Sequence, residues 1–285
     1  MSDYTRLRPA ISHYEASCRE SLGPGFKGAA AHVFGDMQSK YFSKTDNPDY
    51  SSPLHKFCYL FKYTIANGYY VFRTLKLARE KARKDLFPPQ GMRIACIGGG
   101  PGSEIVGVAR YLREIEPHHR SVPLEFVVFD RERTWETVGK KVVECLSDCP
   151  NISVVFIEMD ATDPSSYTRV DFSRFGIVVS SFFLSETRKQ RIATVTRKFW
   201  RYMLGSLSRG TWLVAVDFAD ASSWNLSYLA TALASAGRPF FDVVNEAAIT
   251  MSCPDSKAAI LALEAELDHR PRKNATNLVR VVAAG

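Results

Sequence analysis

Three apolar runs each end in residues suited to holding a polar small molecule. The first, Arg93 to Ile97, empties into the turn Gly98-Gly99-Gly100-Pro101-Gly102. The second, Leu124 to Phe129, ends on Asp130, and the third, Val154 to Met159, ends on Asp160-Ala161. Glycines at 98, 100 and 102 let backbone approach a flat ligand with no Cβ in the way. A carboxylate closing the second strand has two acceptor oxygens, enough for both hydroxyls of a ribose. Residues from Ser103 to Arg113 read as a helix, with apolar side chains at Ile105, Val106, Val108, Ala109 and Leu112, so its amino terminus faces the turn. A structural strand-to-helix turn would account for the glycines alone. It does not account for three strand ends in sequence with matching chemistry, which together describe a nucleotide-type cofactor site. A dinucleotide enzyme is the nearest alternative, but Ser103 stands where its fingerprint needs a third Gly or Ala, and Asp160 has no standard role there.

The remaining chain supplies elements to position these ends. Residues 175–183 and 210–218 read as a fourth and a fifth strand, with helical spacing between about Glu186 and Leu207. A further helix over 222–236 ends at Gly237, and 240–251 and 277–284 read as two late strands. Strands alternating with helices imply a parallel sheet covered on both faces, an α/β fold.

The glycine turn resembles motif I of the class I S-adenosylmethionine-dependent methyltransferases, an acidic residue, any residue, then Gly-x-Gly-x-Gly, with Cys96 at the acidic position. The string Cys-Ile-Gly-Gly-Gly-Pro-Gly-Ser, with Phe-Phe-Leu-Ser-Glu later, is similar to a set of eukaryotic methyltransferase-like proteins. A weaker likeness is to fungal ribosomal-RNA uridine-N3 methyltransferases. The resemblance covers about residues 91–285 and implies a Rossmann-like class I methyltransferase domain. Its seven-stranded, mostly parallel sheet would run 3-2-1-4-5-7-6, with helices on both faces and S-adenosyl-L-methionine as cofactor. Carried onto this chain, it puts Gly98, Gly100 and Gly102 beside the methionine moiety, Asp130 on the ribose and Asp160 on the adenine amino group. Arg131 and Ala161 would flank the adenine ring, and Ser180 would stand at the fourth strand end. The motif beside the transferred methyl reads Ser180-Ser181-Phe182-Phe183-Leu184-Ser185-Glu186. It lacks Asn/Asp-Pro-Pro-aromatic, and the chain shows no Lys-Asp-Lys-Glu tetrad, which argues against adenine amino-group and cap-type ribose methylation. Ser181 and Phe182 are candidates for shaping the acceptor pocket, and Glu186 for accepting a proton. Their bland alternatives are a filled strand end and a favourable charge at a helix start.

Residues 1–90 carry 14 Lys+Arg against 8 Asp+Glu and residues 91–285 carry 23 against 22, so the net +7 is largely an amino-terminal property. This segment is expected to form a helical cap that recognises substrate. The block His55 to Phe72 mixes aromatics and cations; Tyr59 and Tyr63 are candidates for lining the substrate cleft, against ordinary burial of Phe57, Leu60, Phe61 and Ile65. A second charged helix, Leu75 to Leu86, precedes the linker Pro88-Pro89-Gln90-Gly91. Arg188, Lys189, Arg191, Arg197, Lys198 and Arg201, with the loop His269 to Lys273, are the basic clusters through which RNA would bind, unless they are a solvated surface. Cys145 and Cys149, the one close cysteine pair, read as a helix face rather than a zinc site, and no metal site is expected. Scattered cysteines, no signal-like stretch and no membrane-length apolar run suggest a cytoplasmic or nuclear protein. The expected activity is methyl transfer by in-line displacement. The acceptor is RNA or a small molecule enclosed by the tyrosine-rich cap, and a cofactor-binding pseudoenzyme is the third reading.

Overall fold

The computed structural model describes residues 2–43, 49–189, 192–219, 224–255 and 274–285. The amino-terminal segment folds as helices α1 (Asp3–Leu22), α2 (Phe26–Phe42), α3 (Pro53–Tyr59) and α4 (Ile65–Ala82). Ser2 caps α1 by accepting from the Thr5 N–H, and Ser52 caps α3 by accepting from the His55 N–H, with Pro53 in the first turn where its missing donor costs nothing. A π-helical turn, Leu60–Thr64, joins α3 to α4. The sequence reads a break between 72 and 75, but α4 runs through it, because Arg73-Thr74 contains neither Gly nor Pro and Thr74 bonds back to the Tyr70 carbonyl at 2.8 Å.

Beyond the linker come β1 (Met92–Ile97), α5 (Ser103–Glu114), β2 (Leu124–Asp130), α6 (Trp135–Glu144), β3 (Ile152–Glu158), α7 (Pro164–Tyr167), β4 (Ile177–Ser181), α8 (Leu184–Thr187), α9 (Ala193–Ser206), β5 (Trp212–Phe218), α10 (Trp224–Ser235), β6 (Phe240–Ser252) and β7 (Asn274–Ala284). They make one seven-stranded sheet ordered β3-β2-β1-β4-β5-β7-β6. β7 alone runs against its neighbours β5 and β6, and the rest are parallel. This is the α/β architecture and strand order that the resemblance implies.

Period-two alternation along β1 divides the interior. Ile94 and Cys96 join one core with α4, α5 and α6, while Ala95 and Ile97 join another with α9 and α10. The first core also contains Leu7, Phe34, Phe57, Phe61 and Tyr70, so the cap and the sheet share one apolar interior. Lys56 is buried beside this core at 7% exposure. α4 lies along α5 through two glycines. A Cβ on Gly107 would come within 2.5 Å of the Gly68 carbonyl oxygen and 2.8 Å of the Val71 Cβ.

Three expectations need correction. The helix expected over 186–207 is interrupted: α8 ends at Thr187, whose carbonyl is taken by the Thr196 hydroxyl at 2.6 Å instead of continuing a helix. β3, read as a buried strand, is a sheet edge, with Val155 46% and Ile157 37% exposed. Cys145 and Cys149 lie past the end of α6 in turns rather than on a helix face, and the buried Cys149 thiol points to the Ala109 carbonyl. Arg191, residues 222–223 and the loop 269–273 lie outside the described residues. No described helix is long and apolar enough to cross a membrane.

The helix contact makes a test. Gly107→Ala is expected to lower unfolding free energy by about 1–3 kcal/mol in urea titration, the usual cost of overpacking. Gly28→Ala, in α2 with no atom within 4 Å of its added Cβ, is expected to raise it by about 0.5–1 kcal/mol. Equal shifts at the two positions would show that the cap does not pack this way.

Candidate active site

The carboxyl ends of β1, β2, β3 and β4 emerge side by side and build one cleft. Its floor is the glycine turn, held to the end of β2 by the Gly98 N–H donating to the Phe129 carbonyl at 2.8 Å. Gly98 and Gly102 have φ of 64° and 88°, where a side chain is strained. A Cβ on Gly98 would also lie 2.3 Å from the Phe183 ring. Asp130 accepts from the Gly100 N–H at 3.0 Å through Oδ2 and from the Glu132 N–H at 2.9 Å through Oδ1. Its carboxylate plane is thereby fixed, and each oxygen keeps a second lone pair for a ligand hydroxyl. Burial pushes this carboxyl up to about 6 against the pull of its two backbone donors. Asp160 forms its own turn: Oδ1 accepts from the Thr162 N–H and hydroxyl, each at 2.7 Å, while its N–H donates to Ser166.

Gly98, Gly100, Asp130, Arg131, Asp160, Ala161, Glu186 and Tyr59 all line this cleft, which encloses about 900 Å³ with its open mouth included. Eight of the thirteen residues singled out from sequence therefore meet in one place. Glu186, half-buried on α8, has its carboxyl pushed up to about 7, first by burial and then by Asp130, with Lys189 and Arg131 opposing. The cap contributes Asp49, Tyr50 and Tyr59 to the lining. Tyr50, Tyr59 and Trp135 form an aromatic wall whose ring centroids are 5.4 to 5.5 Å apart. The Asn67 amide donates to the Tyr59 hydroxyl at 3.3 Å and fixes that ring from α4.

The other five lie outside the lining. Gly102 closes the turn by donating to the Gly99 carbonyl at 2.8 Å and begins α5. Ser180 is buried, 1% exposed, on the α9 side of β4. Ser181 is on the opposite face and donates to the buried carboxyl of Glu104. Phe182, at φ 59°, packs between Tyr70 and Phe218. Tyr63, 4% exposed, packs against Tyr59 behind the wall. The Ser181 hydroxyl is committed to Glu104, a residue that the sequence does not single out. The cleft residues it passed over include Asp49, Tyr50, Glu132 and Trp135. Glu132 and Trp135 had a signal in following Asp130 closely; Asp49 and Tyr50 lie in a Pro- and Asn-containing connection with none.

The basic clusters separate. The Arg188 guanidinium binds Asn225, and the Lys189 ammonium donates to the Lys40 carbonyl at 3.2 Å. Arg197, Lys198 and Arg201 are exposed on α9, with Arg197 over the Tyr228 ring. Asp85, His118 and His119 bring ligand atoms within 4.8 Å of one another, but Asp85 is held by the Arg79 guanidinium at 3.0 Å and none of them lines the cleft.

No family model matches the chain, and no curated protein does either. Among solved structures, the trans-methyltransferase CalH in complex with SAH is similar at 14% identity and a TM-score of 0.46, covering 83% of this chain and 60% of that one. An O-methyltransferase family 2 protein from Planctomyces limnophilus in complex with apigenin is 13% identical, with a TM-score of 0.44 and 75% and 60% of the chains covered. The [4+2]-cyclase SpnF is 12% identical, with a TM-score of 0.42 and coverage of 74% and 80%.

Glu104 sets a pH dependence. Burial raises its carboxyl to about 8 from an ordinary 4.5. Because the folded value lies above the unfolded one, the stability it permits is full below about pH 4.5 and falls as pH rises towards 8. Glu104→Gln is therefore expected to match the wild type near pH 4.5 and to exceed it by the order of a few kcal/mol near pH 8 in urea titrations. Parallel pH profiles for the two proteins would refute the burial of that charge.

Proposed function

We propose that the chain is an S-adenosyl-L-methionine-dependent methyltransferase. The supporting observation is the convergence of the glycine turn, Asp130 and the Asp160-Ala161 turn on one cleft. The residues fit the cofactor's chemistry. Asp130, its plane fixed by two backbone donors, offers lone pairs to two ribose hydroxyls. The Asp160 turn offers carboxylate oxygen to an adenine amino group, with Ala161 small enough to admit a flat ring. Gly98 and Gly100 line the cleft floor without side chains, with the Phe183 ring packed over Gly98 and room left above Gly100. When bound, the cofactor supplies an electrophilic methyl carbon on a sulfonium with a neutral thioether as leaving group.

The chain's own task is then to hold an acceptor in line with that carbon, exclude water and take up any proton the acceptor loses. Glu186 lines the cleft with a carboxyl tuned close to neutral pH, which suits it to accept that proton. Tyr50, Tyr59 and Trp135 close the cap side, which favours an enclosed small acceptor. RNA remains the alternative, supported by exposed Arg197, Lys198 and Arg201 on the helix whose Thr196 borders the cleft.

Calorimetric titration with S-adenosylhomocysteine is expected to give one saturable site per chain. Asp130→Asn is expected to weaken it about tenfold or more, since a ribose hydroxyl bond to a charged group contributes about 1.5–3 kcal/mol. Well-folded wild type that takes up neither this ligand nor S-adenosylmethionine would end the reading. Glu186→Gln is expected to lower turnover about 10²-fold or more while leaving S-adenosylhomocysteine affinity within a few-fold, the signature of a proton acceptor.

A further inference from the structure

The sign of the cleft opposes the sign of the chain. A protein of net charge +7 lines its cleft with Asp49, Asp130, Glu132, Asp160 and Glu186 and, among the described lining residues, a single cation, Arg131. On the methyltransferase reading, on which this inference rests, Asp130 and Asp160 serve the adenosyl group. Asp49, Glu132 and Glu186 are left over, facing the same space as the aromatic wall of Tyr50, Tyr59 and Trp135. The cap, basic over its length, brings a carboxylate and two tyrosines to the cleft. Its nearby lysine, Lys56, does not line the cleft; its ammonium sits on the Thr134 hydroxyl and the Ser51 carbonyl, where the Glu132 and Asp49 carboxylates attract it from the side. Carboxylates lower the energy of a cation by Coulomb attraction in a site partly shielded from water, and aromatic faces add to it through their quadrupoles. The same groups repel phosphate and carboxylate.

We propose that the acceptor bound in this cleft is a small molecule carrying a primary or secondary ammonium group, selected by Glu132, Asp49 and Glu186 together with the aromatic wall. Such a nitrogen enters protonated and has no lone pair to donate. Glu186 takes its proton; the freed lone pair bonds the methyl carbon, and the carbon–sulfur electrons remain on sulfur. The methylated ammonium product then carries the positive charge that the sulfonium gives up, and the proton the acceptor brought in stays on Glu186.

The test uses the full chain saturated with S-adenosylhomocysteine, titrated calorimetrically with n-butylamine, n-butanol, n-butyrate and a 20-nucleotide single-stranded RNA. Butylammonium is expected to bind about tenfold or more tightly than butanol, in line with a cation–π and carboxylate contribution of about 1–2 kcal/mol. Butyrate and the RNA are expected to give no saturable heat. Glu132→Gln is expected to weaken butylammonium binding about five-fold or more, since a charge-assisted hydrogen bond is worth about 1.5–3 kcal/mol, and to leave S-adenosylhomocysteine affinity within two-fold. Equal affinity for butanol, saturable binding of butyrate or RNA, or amine binding indifferent to Glu132→Gln would each overturn the inference while S-adenosylhomocysteine uptake keeps the methyltransferase reading intact. Failure to take up S-adenosylhomocysteine would remove both.

Discussion

The bridge from the Gly100 N–H to the Asp130 carboxylate, at 3.0 Å, joins the two halves of the site. It ties a flexible glycine turn to the rigid end of β2 and sets the orientation of the carboxylate meant to meet the ligand. The parallel register of β1 with β2, Cys96 opposite Val128 and Ile97 opposite Phe129, makes the bridge possible by ending both strands at one level. The same register carried on to β3 places Glu158 beside Asp130, and hence Asp160 just beyond it. One geometric constraint, strands of matched height in a parallel sheet, thus delivers three chemically distinct groups to a common cleft. The electrostatic cost of that arrangement is visible in the raised carboxyls of Asp130 and Glu186, two acids pressed together in a partly dry space. Lys189 and Arg131 offset part of that cost at Glu186, and two backbone donors offset part of it at Asp130.

Charge totals and charge placement diverge in this protein. The excess of lysine and arginine in the first ninety residues suggests an anion-binding cap, yet the cap's contact with the cleft is acidic and aromatic. The physical reason is packing. α4 lies so close on α5 that glycine is required on both helices, and the aliphatic stems of cap cations such as Lys56 are drawn into the shared core. Other cap cations are spent on ion pairs at the joint: Arg6 holds Asp148 at 2.9 Å, and from the sheet side Arg110 holds Asp3 at 3.2 Å. Net charge describes the field at a distance; the side chains that line a cavity decide what enters it.

The sheet was legible because its signals are local. Each strand is a short apolar run with a turn residue behind it, and the Asp130 and Asp160 ends need only the next few residues to be recognised. The β1 glycine turn was legible for the same reason. What escaped the sequence depends on partners far along the chain. Ser181 looks like a strand-end residue open to the acceptor until Glu104, 77 residues away, is found to take its hydroxyl. Tyr59 and Tyr63 are chemically alike and four apart on one helical segment, yet only Tyr59 reaches the cleft. The π-helical turn over Leu60–Thr64 resets the angular spacing between them, and no composition rule announces it. Trp135 and Tyr50 complete the wall from elements that have no sequence relation to each other.

That π turn also bears on how the cleft is held. An uninterrupted α-helix from Pro53 to Ala82 would fix the Tyr59 face at a rotation dictated by the Gly68–Gly107 contact, since both lie on the same rod. The extra residue in the turn uncouples the two demands. α4 can keep its close seat on α5 while α3 aims Tyr59 at Trp135 and leaves Tyr63 to pack behind it. The cost is local, in hydrogen-bond geometry poorer than that of an α-turn. It is met by the burial of Leu60, Phe61 and Tyr63 in the shared core, which also keeps the wall rigid. The aromatic side of the cleft is therefore set by the same packing that seats the cap on the sheet.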